Sequence, residues 1–148
     1  DYITIVADSV SDGQYGNYTN TTTGSPLKLL VPIMSGDAEL RYMTGQGNKV
    51  LVRRPIKVVA AHITLAAVES AAAGSEISIT WTGPNNPGDY ITVVPMSTPD
   101  GQYGDYSVTA NGSPLKVKAP KNPGGAEVRY MTGQGGNVLA RIPIKIVP

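Results

Sequence analysis

The sequence predicts an all-β protein of tandem β-sandwich units. Three observations carry that prediction. The first is an internal repeat. Asp1–Val6 returns as Asp89–Val94, and Asp12–Gly16 as Asp100–Gly104. Gly24–Lys28 returns as Gly112–Lys116, and Arg41–Gly47 as Arg129–Gly135, every pair at an offset of 88 positions. About 36 of the 60 positions aligned this way are identical, the mark of a duplicated structural unit. The second is short runs in which apolar and polar residues alternate. The third is turn chemistry: 17 Gly and 12 Pro in 148 residues leave little room for long helices.

The offset sets the unit at about 88 residues, so the chain holds one complete unit, 61–148, and one incomplete unit, 1–60. The incomplete one lacks the counterpart of 61–88. Those residues include two expected strands, Ile63–Ser70 and Ser75–Thr82, so the first unit is expected to be short of two N-terminal strands.

The complete unit reads strand by strand. Glu76–Trp81 alternates, with Ile77, Ile79 and Trp81 on the buried face and Trp81 as the large core aromatic. Ala66–Ala73 is ambiguous: its alanines suit a helical turn, while the Ile63/Leu65 alternation before it favours a strand. Gly83–Gly88 is a loop made of turn residues. Asp89–Pro95 is a β-branched strand. Gln102–Thr109 is a short strand through Tyr103 and Tyr106. Leu115, Val117 and Ala119 alternate with lysines. Asn122–Gly125 turns the chain. Glu127–Thr132 and Val138–Val147 form a hairpin around Gly133–Gly136, with Val138, Ala140, Ile142, Ile144 and Ile146 on one face. Pro143, on the other face, marks an edge or a bulge. About seven short strands with turns every 8–12 residues is the pattern of an immunoglobulin or fibronectin type III β-sandwich.

Composition excludes several functions. With no Cys and one His, disulfide scaffolds, thiolate metal sites, cysteine nucleophiles and multi-histidine sites within one chain are ruled out. A net charge of +1 argues against a nucleic-acid footprint or a polybasic membrane patch. No apolar run is long enough to span a bilayer, so membrane insertion is not expected. The chain opens on Asp1 and a β-rich run, with neither initiator Met nor signal peptide, which reads as processing or as a segment of a longer chain.

Candidate sites are few. His62 lies at the junction and has no nucleophile motif beside it, so an exposed linker position is expected. Asp8–Gly13 has some oxygen spacing of a calcium loop but lacks the closing Glu, and Met96 stands where Asp8 repeats; a turn is expected. Gly45–Gly47 and Gly133–Gly135 lack the Lys-Ser/Thr of a phosphate loop and read as hairpin connections. Asn17, Asn20 and Asn111 begin glycosylation-type tripeptides in polar loops. Arg41, Arg129, Arg53 and Arg141 are expected to be solvated charges on strand faces, discouraging edge pairing. No catalytic, cofactor-binding or metal-binding residue is expected. The binding or assembly candidates are Tyr15, Tyr18, Tyr103 and Tyr106: each pair is read on one face of a short strand, beside glycines that leave the rings uncrowded. Such faces suit stacking on a glycan or a neighbouring subunit, and packing at the sandwich rim is the plainer use.

Taken together, Trp81–Asn85, Pro87–Thr92, Gly101–Gly104, Gly112–Leu115, Glu127–Tyr130, Gly133-Gln134, Val138–Ala140 and Pro143-Ile144 resemble a bacterial Ig-like repeat. That repeat is found in exported proteins that also carry a von Willebrand factor type A domain. The chain departs from it at Ala38 and Ala126, where the family often has an aromatic residue. The resemblance implies a cell-envelope or extracellular setting and a structural or binding role without catalysis. It also sharpens the problem of the first unit, since a sandwich without two strands exposes backbone groups and core. Three solutions exist: a longer array supplies the strands, a neighbouring copy donates them, or the first unit folds differently. The expected function is a non-catalytic extracellular module forming a stalk, surface layer or filament, with self-association as the main partnership. The alternative is an adhesion module gripping a glycan or surface protein through its Tyr faces.

Overall fold

A computed structural model describes all 148 residues. The chain is all-β apart from two single 3₁₀ turns, and it divides into two compact units, Asp1–Ala60 and Ala61–Pro148. No helix is long and apolar enough to cross a membrane.

The second unit contains two sheets around one core. The smaller sheet has β5 (Thr64–Ala66), β7 (Glu76–Thr82) and β10 (Leu115–Lys118) in the order β10-β7-β5. The larger has β6 (Ser70–Ala72), β8 (Tyr90–Pro95), β9 (Tyr106–Val108), β11 (Gly124–Met131) and β12 (Val138–Val147) in the order β6-β12-β11-β8-β9. Strict alternation along β7 buries Ile77, Ile79 and Trp81 against Leu115 and Val117 of β10 and Ile91, Val93, Val128, Tyr130, Ile144 and Ile146 of the larger sheet. Two sheets sharing one set of inward side chains make a sandwich-like unit. Burying a Val, Leu or Ile side chain contributes roughly 1.5–3 kcal/mol, so this shared core dominates the unit's stability.

The structure corrects several local expectations. Ile63–Ser70 is not one strand. The chain leaves the smaller sheet after Ala66 and re-enters the larger one at Ser70, where β6 pairs in parallel with the end of β12. The unit therefore has eight strands rather than seven, and 61–88 supplies three of them, not two. No helical turn forms over Ala66–Ala73, because sheet pairing claims its backbone on both sides. Gly124 and Gly125 pair with Ile146 and Lys145 instead of turning. Val138 drops out of the inward face of β12: a register shift at Tyr130/Met131 inserts Leu139, which packs on the core beside Ala140 and Ile142. Pro143 lies opposite Glu127, two residues before Lys145, whose N–H points away from β11 to the Glu69 carbonyl. By the period of two, the proline nitrogen also faces away from the ladder, so no hydrogen bond is lost.

The first unit has one sheet. It comprises β1 (Tyr2–Ala7), β2 (Tyr18–Asn20), β3 (Gly36–Met43) and β4 (Val50–Val58) in the order β2-β1-β3-β4. Its registers equal those of β8, β9, β11 and β12 less 88 at almost every position. Its buried core cluster is small: Ile5, Ala38 and Val58, with Leu29, Met34 and Leu40 against them. Leu27–Leu30, the counterpart of β10, forms no strand. In the second unit β10 pairs with β7 alone, and the first unit has no β7. One missing strand thus removes a second.

Candidate functional site

Two features recur in both units on the sheet face opposite the core: a cluster of three tyrosines and a buried arginine network.

Tyr103 and Tyr106 come together, but not on one strand. Tyr106 opens β9, whereas Tyr103 sits in the preceding loop, because the chain turns at Pro99–Gln102 and pairs only from Tyr106. Tyr15 and Tyr18 are arranged the same way around β2. Each pair gains a third ring from the adjacent strand, which the sequence reading missed. Tyr90, Tyr103 and Tyr106 lie 5.4–5.5 Å apart edge to face, as do Tyr2, Tyr15 and Tyr18 at 5.4–5.6 Å. The signal was the pairing of Thr92 with Tyr106, which makes Tyr106 the diagonal neighbour of Tyr90. Edge-to-face contacts place the positive ring edge on the negative ring face, and the Tyr2 hydroxyl also donates to Asn48 Oδ1 at 2.9 Å. Tyr15, Tyr18, Tyr103 and Tyr106 keep 53–58% of their surface exposed. Partial burial raises the pKa of Tyr2 and Tyr90, and the neighbouring phenols of each cluster raise it further.

Two of the four arginines overturn the expectation of solvated charge, while Arg53 and Arg141 are exposed as expected. Arg41 and Arg129 are each 1% exposed. The loop after β8 folds over the outer face of the sheet, and Arg129 is the post it closes around. Arg129 donates to the carbonyls of Thr98 at 2.5 Å, Pro99 at 3.0 Å and Gln102 at 3.5 Å, and through Nε to Glu127 at 3.0 Å. Arg41 does the same with Val10, Ser11, Gln14 and Glu39. Arg53 and Arg141 remain partly solvated and grip from outside. Arg141 makes a two-pronged pair with Asp100 at 2.9 and 3.0 Å and also donates to Glu127 at 3.0 Å. A buried guanidinium persists only when paired and hydrogen-bonded, and four hydrogen bonds from each of Arg41 and Arg129 meet that need. Hydrogen bonds from Arg53 and Arg141 hold the Asp12 and Asp100 carboxyls below their ordinary pKa. The same geometry engages oxygens within Asp8–Gly13. A fixed positive charge on Arg41 takes the Val10 and Ser11 carbonyls, and Arg53 takes the Asp12 carboxylate.

Asn20 and Asn111 are exposed, whereas the Asn17 side-chain amide donates to the Leu30 carbonyl at 3.0 Å. His62 is exposed and lies outside the strands. Gly45–Gly47 and Gly133–Gly135 occupy turns between paired strands.

A second network reaches the core side. The Tyr130 hydroxyl donates to Asp89 Oδ2 at 2.8 Å and accepts the Asn85 N–H at 3.0 Å, while Gly133 N–H reaches Asp89 Oδ1 at 3.0 Å. Burial first, and the adjacent Asp89 carboxylate second, push the Tyr130 phenol up to about 12. A raised phenol pKa gives stability that is whole below about pH 10, the unfolded value, and is lost as pH climbs toward 12. An ultraviolet titration of the eight tyrosines should show one ionising last, near 12, and Tyr130→Phe should delete that step. A Tyr130→Phe profile matching the parent would refute the assignment.

Comparison of the chain with family models, with curated proteins and with solved structures finds no match.

Proposed function

We propose that the chain is a non-catalytic extracellular structural module: tandem Ig-like units of about 88 residues that build a stalk, surface layer or filament, in which units complete one another by strand addition. The strand order of the second unit supports the Ig-like reading, with β5, β7 and β10 in one sheet and β8, β9, β11 and β12 in the other. So does the resemblance of its motifs to the bacterial repeat found alongside von Willebrand factor type A domains. The single observation that carries the assembly reading is the open face of the first unit. Ile56 on β4 is 38% exposed, and its counterpart Ile144 on β12 is 4% exposed. Apolar surface left open in this way favours association.

Light scattering on the chain, with its intact mass checked on the same sample, tests this. Particles larger than one 15.5 kDa chain, growing with concentration through contact between the exposed apolar faces of first units, are expected, since each chain's own 61–88 segment is engaged in its second unit. A monodisperse single chain at every concentration up to the millimolar range would sink the assembly reading.

The tyrosine clusters favour a second reading, adhesion to a glycan or surface protein. Three rings held in place by one another offer contact area at low entropic cost. Tyr103→Ala should then abolish glycan binding with the fold intact, and a glycan array without hits for the parent chain would discard this reading.

A further inference from the structure

In the second unit, β7 and the loop behind it make a defined set of contacts. Ile79 and Ile77 lie opposite Leu115 and Val117 of β10. Trp81 donates its indole N–H to the Gly112 carbonyl at 2.8 Å and its backbone N–H to Ser113 Oγ at 3.1 Å. Glu76 pairs with Lys116 at 3.2 Å. Asn85 N–H reaches the Tyr130 hydroxyl, and Asn86 N–H reaches Asp89 Oδ2, both at 3.0 Å.

The first unit holds the counterpart of each receiver: Leu27 and Leu29, Gly24 and Ser25, Lys28, Tyr42 and Asp1. Lys28, Tyr42 and Asp1 already make the equivalent contacts. Thr19 Oγ1 donates to the Lys28 carbonyl at 2.6 Å, as Ser107 Oγ donates to Lys116 at 2.7 Å. Tyr42 reaches Asp1 Oδ2 at 3.0 Å and Gly45 N–H reaches Asp1 Oδ1 at 3.0 Å, so the Tyr-Asp pair is formed and only the two asparagine amides have no counterpart. Val31 is 43% exposed where Ala119 is 2%.

We infer that the open face of the first unit is a strand-accepting groove whose occupant is a further copy of the 61–88 segment. This rests on reading the first unit as an Ig-like module short of its covering strands. The register follows from β7 on β10 less 88: antiparallel, the incoming Ile79 opposite Leu27, Ser78 opposite Lys28, Ile77 opposite Leu29 and Glu76 opposite Leu30. The incoming indole meets the Gly24 carbonyl, and the incoming Glu76 meets Lys28. The groove also selects a glycine two residues after the indole. A Cβ on Gly83 would stand 2.9 Å from the Tyr130 ring, and Tyr42 presents the same ring in the first unit. Main-chain pairing supplies affinity here and alternate side chains supply specificity. The occupant is a further copy because the chain's own β7 is engaged with β10 and the core of the second unit.

The test uses the full chain and a fluorescein-labelled synthetic peptide of residues 61–88. Saturable one-to-one binding by anisotropy is expected, with hydrogen-exchange protection of the Leu27–Leu30 amides rising at least about tenfold on peptide addition. Peptides carrying Ile79→Asp or Gly83→Val should bind at least about tenfold more weakly; both changes lie in the peptide, so the fold of the chain is untouched. Absence of binding at millimolar peptide, equal binding by the Ile79→Asp peptide, or unchanged exchange at Leu27–Leu30 overturns the inference. Because the particle mass of the chain alone is measured separately, a peptide that fails while large particles still form refutes the groove and leaves the structural role standing.

Discussion

Arg129→Met should destabilise the second unit by about 3–5 kcal/mol, the range for removing one partner of a buried ion pair. The substitution strips the Thr98, Pro99 and Gln102 carbonyls of their shared donor and leaves the 7% exposed Glu127 with Arg141 alone. Natural domains are stable by only about 5–15 kcal/mol, so this is a large fraction of the total. Arg129→Lys should fall between the two, because a single ammonium cannot reach the carboxylate and three carbonyls as the planar fork does. The double variant Arg129→Met/Glu127→Leu should recover part of the loss, since it removes the buried carboxylate along with its partner. Urea denaturation followed by Trp81 emission measures all three. A loss below about 1 kcal/mol for Arg129→Met would mean that the loop is held by other contacts and that the charge is incidental.

Ile79→Ala comes next, with an expected loss of about 2–5 kcal/mol. Ile79 is completely buried between Leu115 of its own sheet and the strands opposite. The position tests more than cavity formation. β10 is paired with β7 and with no other strand, so weakening β7 should release Leu115–Lys118 before the β11–β12 ladder opens. Native-state hydrogen exchange should show that order, with Leu115–Lys118 approaching the behaviour of Leu27–Leu30, which has no β7 partner. Unchanged protection at Leu115–Lys118 in the variant would break the argument that one strand's absence costs the first unit two.

Local patterns carried much of this architecture. A period of two along Glu76–Trp81 suffices to put Ile77, Ile79 and Trp81 on one face, because successive side chains of a strand point oppositely whatever the surroundings. The all-β composition follows likewise from Gly, Pro and β-branched runs. The alanine-rich stretch was harder, since alanine suits either conformation and only the availability of two sheet edges splits 64–72 into β5 and β6. Leu139 was unreadable for the same reason: a bulge exists in the pairing of two strands, not in either sequence.

The candidate sites divide along the same line. Tyr15, Tyr18, Tyr103 and Tyr106 stood out by spacing, but Tyr2 and Tyr90 join them only through strand register. Arg129 looked like any strand arginine. Its burial depends on carbonyls some thirty residues away that a loop brings over the sheet, and no local period encodes that distance. By itself the sequence determined the 88-residue correspondence, the all-β class and the inward residues of β7, all of which are set by neighbours along the chain. The tertiary structure alone decided that two of the arginines are internal posts and that the tyrosines form triads. Each of those is a relation between segments far apart in sequence, and only packing creates it.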